Sequence, residues 1–417
     1  MEGTSSIPST VSKRHKMMAV GPSKTVKPSP RDLAVGLNSE SIKSHGFWEE
    51  QIEAAKGIFL APLMVLLVFV PFGLCAKTVL DLNEAWVFGT NFLAIIPLAS
   101  VLGAATEHLS HHTGSLVGGL LNATFGNAVE MIMCCQAVRA GLITVVQGNL
   151  LGSVLSNLLL VLGMAIFASG VVRKEQTFNA QGAAANMTCQ LVASISVCLP
   201  TVFQRFGANG LHDEVLMISR ICSIFLCILY GFFLLFMLKT HADLFADEGG
   251  SLEDQAESEE PHLSAGLSTA LLAACTLVVA GCSENLVDSI DIVSTEYGLP
   301  KAFIGMILLP IVGNAAEHAT AVSAAYNGMM DLALGVAVGS STQIALFVVP
   351  CAVIFGWVMD KPMSLGFRDF DTVCQMLSVF LVSQVLQHGN TKWLHGAMLM
   401  SVYFIIAVST WFIPEVD

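Results

Sequence analysis

Charge is what this sequence has least of. Only 12% of its 417 residues are Asp, Glu, Lys or Arg, where soluble domains run near 25%. Basic residues are scarcest in the middle, with no Lys or Arg between Lys239 and Lys301. That gap and the net charge of −13 exclude a nucleic-acid-binding surface. Cysteine is present but unpatterned. The eleven Cys lie mostly in apolar runs without a C-x-x-C, which excludes a disulfide framework or a zinc site. Residues 1–57 hold no apolar core of a cleaved signal peptide. They read instead as a largely disordered tail whose eight Lys and Arg argue for a cytosolic N-terminus.

Long apolar runs fill the rest. Hydrophobic residues make up 54%, and the mean hydropathy is +0.69. A span needs about 20 mostly apolar residues to cross roughly 30 Å of hydrocarbon. Eleven runs qualify: 58–80, 85–106, 116–138, 143–169, 180–203, 215–238, 265–287, 299–324, 331–358, 370–387 and 393–414. The expectation is an all-α polytopic membrane protein embedded in a lipid bilayer. Between the sixth and seventh runs, residues 243–260 carry eight acidic residues. That stretch reads as a solvated loop able to attract cations.

The chain repeats itself. Gly126-Asn127-Ala128-Val129-Glu130 recurs as Gly313-Asn314-Ala315-Ala316-Glu317, an offset of 187. The same offset, without a gap, pairs Gly141 with Gly328, Gly148 with Gly335, and Gly152-Ser153 with Gly339-Ser340. Upstream, Thr106-Glu107-His108-Leu109 resembles Ser283-Glu284-Asn285-Leu286. Two repeats of five spans each are expected, over 81–240 and 265–417. Between them lies a cytosolic acidic loop, 241–264. An odd number of crossings inverts the second copy relative to the first, as in many secondary transporters. The run 58–80 has no counterpart and is expected as one peripheral helix.

Glu130 and Glu317 sit in apolar sequence, with no Lys or Arg within eight residues of either. A charged side chain at a helix centre costs about 2.5–3.5 kcal/mol on insertion scales. Each carboxylate must therefore be protonated, hydrated or bound to a cation. Asn127 and Asn314 stand three residues before them, on the same helical face. Gly126 and Gly313 permit a break in the helix that exposes carbonyls to a cavity. Two carboxylates, two amides, carbonyls and water form the all-oxygen shell that hard divalent cations take. Gln147, Ser153, Asn157, Ser340 and Gln343 are further oxygen donors, and Glu107 and Glu284 are carboxylates at the membrane ends. Gly148/Gly152 and Gly335/Gly339 read as close helix packing. Protons and a divalent cation compete for the two glutamates, and alternating access to such a site suffices for exchange. On the residues alone, a Na⁺-coupled exchanger, a cation channel and a non-transporting scaffold stay open.

The run from Gly126 to Glu130, followed by Val145-Val146-Gln147-Gly148-Asn149-Leu150-Leu151-Gly152-Ser153, resembles the first signature of the cation/proton exchanger family. Gly313–His318, with Gly339-Ser340-Ser341-Thr342-Gln343, resembles the second. The resemblance covers roughly 57–414. It implies a vacuolar-type Ca²⁺/H⁺ antiporter that also takes Mn²⁺ or other divalent cations. It implies metal binding by Glu130 and Glu317 with Asn127 and Asn314 beside them, and characteristic glutamines at 147 and 343. A transporter is thus expected rather than an enzyme, with no cofactor. Its partners are Ca²⁺, protons and lipid, with homo-oligomerisation left open. The membrane is that of a vacuole or another acidic compartment.

Overall fold

The structure, a computed structural model, describes residues 46–207, 212–242 and 262–413. Most of the expected tail and the acidic run 243–260 lie outside these residues. The chain divides into Met1–Glu49 and Glu50–Asp417. Of the first unit only the opening turn of helix α1, Gly46–Phe59, is described.

The described chain is almost entirely helical. After α1 come α2 (Pro62–Cys75), α3 (Glu84–His111), α4 (Ser115–Phe125), α5 (Ala128–Ala140) and α6 (Ile143–Val172). Then follow α7 (Ala180–Phe206), α8 (His212–Thr240), α9 (Ala265–Tyr297), α10 (Lys301–Gly313), α11 (Ala315–Asn327), α12 (Met330–Val358), α13 (Asp369–Leu386) and α14 (Trp393–Trp411). Eight of these are long and apolar enough to cross a membrane, or ten if the bent pairs α1–α2 and α10–α11 each count as one span. The expected span 116–138 is the eleventh candidate. It is two helices of 11 and 13 residues, because the chain leaves helical geometry at Asn127 (φ −107°, ψ 23°).

Local sequence sets the boundaries. Asn83 caps α3 by accepting from the Trp86 amide at 3.1 Å. Asn179 caps α7 by accepting from Gln181 and Gly182, the role a short polar side chain fills at a helix start. Gly141 ends α5 at φ 82°, and its repeat partner Gly328 ends α11 at φ 98°. A left-handed residue there is what glycine permits, so the glycine found by the 187-residue offset marks the same turn twice.

Packing obeys a two-fold exchange of the halves. The repeat-related helices α3 and α9 pack on each other, as do α7 and α13. Helix α14 packs on the second half of α6, and its counterpart α8 packs on the second half of α12. The related helices run antiparallel. At the start of α6, Gln147 donates to the carbonyls of Ser364 and Gly366, beyond the end of α12. Just past the end of α6, Arg173 donates to the carbonyls of Tyr326 and Asn327, just before α12 begins. The second copy is therefore inverted, as the odd span count requires.

One end of the bundle holds the C-terminus of α3 and the N-terminus of α9, where His108 meets His262 at 3.3 Å and His112 meets the Leu263 carbonyl at 2.7 Å. This is the histidine end. The opposite end holds Lys77–Asp288 (3.2 Å), Lys301–Asp291 (2.6 Å) and Arg139–Glu284 (3.8 Å).

Candidate cation site

Both copies of the repeated element sit at helix breaks. Asn127 interrupts α4–α5 and Asn314 (φ −86°, ψ 14°) interrupts α10–α11, which bend by 56°. Each glutamate then falls in the first turn of the following helix, where the unpaired N–H groups and helix dipole favour negative charge. Breaks of this kind are tolerated in a membrane only where they line a cavity or are buried in protein.

Each asparagine reaches into the other repeat. Asn127 donates to Gln343 Oε1 at 2.9 Å and accepts from Ser340 Oγ at 3.2 Å. Asn314 donates to the Ser153 carbonyl at 3.2 Å. Ser153 and Ser340 are repeat partners, so the two breaks are stapled crosswise. Asn157 joins by donating to Ser340 at 3.1 Å.

The glutamates face this crossing. Glu130 is 1% exposed, and neither carboxylate oxygen has a protein partner. It lies against Gly313 so closely that a Cβ there would stand 2.5 Å from Oε1. Glu317 is half-buried, with Oε2 likewise unpartnered. Asn314 Oδ1 and Ser153 Oγ are also buried without partners. An unsatisfied buried polar atom costs about 1–3 kcal/mol, more when charged. Apart from His318 Nε2, the unpartnered atoms around this crossing are oxygens, the donor type that hard divalent cations select. Among the described residues no three of His, Cys, Asp and Glu converge on a metal position. The acidic groups at the crossing are the two glutamates, with neutral oxygens around them.

A cavity of about 460 Å³ leads to this point. Glu107, Asn122 and Leu332 line it near the histidine end, and Asn127, Gly313, Glu317 and Gln343 line its deep part. The structure thus brings together Glu130, Glu317, Asn127, Asn314, Gly126, Gly313, Ser153, Ser340 and Gln343, with Glu107 along the approach. Two residues expected nearby stand apart. Gln147 holds the Ser364–Gly366 segment at the opposite end, and Glu284 pairs there with Arg139. Asn122 had no place in the sequence-based site. Its signal was present: it stands four residues before Gly126, on the same helical face.

Known proteins resemble this chain in sequence and fold. The sodium/calcium exchanger protein family profile matches residues 83–239 and 267–412. A vacuolar calcium ion transporter of Schizosaccharomyces pombe is 42% identical over 353 residues, 84% of this chain and 85% of the relative. A Ca²⁺/H⁺ antiporter of Aphanothece halophytica is 41% identical over 363 residues, 84% of this chain and 96% of the relative. Among solved structures, native YfkE superposes with a TM-score of 0.72 at 35% identity, covering 84% of this chain and all of YfkE.

Proposed function

We propose that this chain, which belongs to the sodium/calcium exchanger protein family, exchanges Ca²⁺ for H⁺ across a membrane by alternating access to Glu130 and Glu317. The observation that carries the reading is Glu130. Its two carboxylate oxygens are buried without partners beside a cavity that ends at Glu317. Such a carboxyl is satisfied by a proton or by a cation, and the shared site cannot hold both loads. A divalent cation favours the doubly charged pair, and protons favour the neutral one. Loading at one end and release at the other then yields antiport.

The residues alone admit Na⁺ as the counter-ion. The relatives named as H⁺-coupled favour the proton. Asn127, Asn314, Ser153, Ser340 and Gln343 supply or orient neutral oxygens around the glutamates. Gly126 and Gly313 give the backbone room at the breaks. The two repeats span 81–240 and 265–417, and the peripheral element expected at 58–80 is the bent pair α1–α2, broken by 83° between Phe59 and Pro62. Counting the α4–α5 pair as a broken span gives eleven crossings. The vacuolar relative and the basic tail favour a vacuolar membrane with a cytosolic N-terminus, and hence a cytosolic histidine end.

Reconstitution in vesicles with an imposed pH gradient tests this. The expected outcome is gradient-driven ⁴⁵Ca²⁺ uptake without Na⁺, abolished by Glu130→Gln or Glu317→Gln. Uptake that survives both substitutions sinks the site, and an absolute requirement for Na⁺ sinks the proton coupling.

A further inference from the structure

The two ends of the bundle are built from the same parts in different arrangements. At the opposite end, the start of α6 packs tightly on α10. A Cβ on Gly148 would lie 3.2 Å from the Gly305 backbone, and one on Gly152 would overlap the Met306 carbonyl and stand 2.7 Å from Pro310. Conversely, a Cβ on Gly305 would lie 2.9 Å from the Val145 carbonyl. This glycine-on-glycine contact brings two backbones together.

The 187-residue offset carries every partner in this contact to the histidine end. Gly148 and Gly152 become Gly335 and Gly339. Gly305 becomes Gly118, and Met306 becomes Gly119. The first half of α12 and the helix α4 therefore hold the same glycine faces. In this structure those faces are apart. A Cβ on Gly335 or Gly339 would meet nothing within 4 Å, and Gly335 lines the cavity beside Asn122. The Gly118 face is turned onto the Ser110 carbonyl of α3, 2.7 Å from where its Cβ would be. Helix α4 is bounded by Gly114, at φ 78°, and by the break at Asn127.

We infer that α4 and the first half of α12 form the gate of the histidine end. It closes when α4 turns about Gly114 and Asn127 and the Gly118 face docks on Gly335 and Gly339. The inference rests on the alternating-access reading above. Closure fills the upper part of the cavity and seals the glutamates from the histidine end. The contact it makes is the one that Gly148, Gly152 and Gly305 already make at the other end. Gly335 and Gly339 are thus positioning residues for the transport cycle and are not ligands.

The test is a size series at Gly335 in the reconstituted full chain: Ala, Val and Leu. Two quantities are read, ⁴⁵Ca²⁺ binding in detergent and ⁴⁵Ca²⁺ turnover in vesicles. Turnover is followed both down a pH gradient and as Ca²⁺/Ca²⁺ exchange at equal pH. A Cβ at Gly335 meets nothing within 4 Å in the open state, and the residue lies at the histidine end of the cavity, away from the glutamates, so binding is expected to stay within about twofold of the parent. Turnover in both assays is expected to fall stepwise with side-chain volume, by at least tenfold for Gly335→Leu. Gly231→Leu, on α8 where a Cβ also meets nothing, controls for bulk alone and is expected to leave turnover unchanged. Turnover independent of size overturns the gate, and so does binding lost in step with turnover. If the parent protein shows Ca²⁺/Ca²⁺ exchange but no response to a pH gradient, proton coupling is what fails. The size series then still decides the gate.

Discussion

Glu130 and Glu317 hold the same place in two copies of one element, and the fold treats them differently. Glu130 is closed under Gly313 at 1% exposure, while Glu317 is half-buried against the cavity. The glycines repeat the contrast: Gly148 and Gly152 are locked between helices, and Gly335 and Gly339 face open space. The sequence is symmetric and the conformation is not. What differs between the copies is therefore a record of which end is open, and substitutions at paired positions should have unequal effects.

The largest inequality is expected between Gly313→Ala and Gly126→Ala. At Gly313 the new methyl meets Glu130 Oε1 at 2.5 Å, so it competes directly with whatever the carboxylate must hold. At Gly126 it meets the Asn122 carbonyl at 2.6 Å, one turn back in the same chain, and strains the bend. Overpacking costs about 1–3 kcal/mol. Placed on that carboxylate, it becomes a loss of about 100-fold in apparent Ca²⁺ affinity at the upper limit if Glu130 binds the cation as proposed. Gly126→Ala is expected to lose about tenfold or less. Concentration dependence of ⁴⁵Ca²⁺ uptake checks this, and an equal loss at both glycines would erase the distinction between the copies.

A smaller inequality should appear in stability. Gly152→Ala pushes a methyl into the Met306 carbonyl and Pro310 and is expected to destabilise by about 1–3 kcal/mol. Gly339→Ala adds a methyl where nothing lies within 4 Å, and is expected to be neutral or to gain about 0.5–1 kcal/mol from helix propensity. Thermal unfolding in detergent distinguishes them by direction as well as size.

How far the sequence could be read follows the same line. Span positions were legible because each helix must bury or lipid-expose a long apolar run. Expected 143–169, 180–203 and 370–387 correspond to Ile143–Val172, Ala180–Phe206 and Asp369–Leu386. The paired glutamates and asparagines were legible because intramembrane polar groups need a reason to be there. Gly335 and Gly339 were misjudged as close-packed, because a pattern shared by both repeats does not say which copy is packed in a given state. Glu284 was grouped with Glu107 through its motif, and inversion then sends the two to opposite ends. Gln147 lies at the start of α6, and nothing in the sequence shows that the chain after α12 folds back to accept from it. Asn122 shares a helical face with Gly126, but that this face lines a cavity depends on the relative placement of α4 and α12, which no single segment encodes.

The smallest expected effect tests the ends directly. Along one face of α9, Glu284, Asp288 and Asp291 meet Arg139, Lys77 and Lys301 from three different elements. The repeat offset carries Arg139 onto Tyr326, so the histidine end has no matching cation at that position. The Arg139–Glu284 pair spans 3.8 Å, with its side chains 63% and 50% exposed. Exposed pairs of this kind are worth about 0–1 kcal/mol, and salt weakens them. A contribution of that size shifts a two-state population by at most about fivefold. Arg139→Gln is therefore expected to weaken Ca²⁺ half-saturation measured from the histidine end by about two- to fivefold. It should strengthen half-saturation from the opposite end by a similar factor. High salt should shift the parent protein in the same direction and shift the variant less, since Lys77–Asp288 and Lys301–Asp291 remain in it. Oriented vesicles assayed from each side provide the measurement. Movement of both constants in the same direction would show that the pair supports the fold as a whole rather than one end, since only a population shift changes the two sides oppositely.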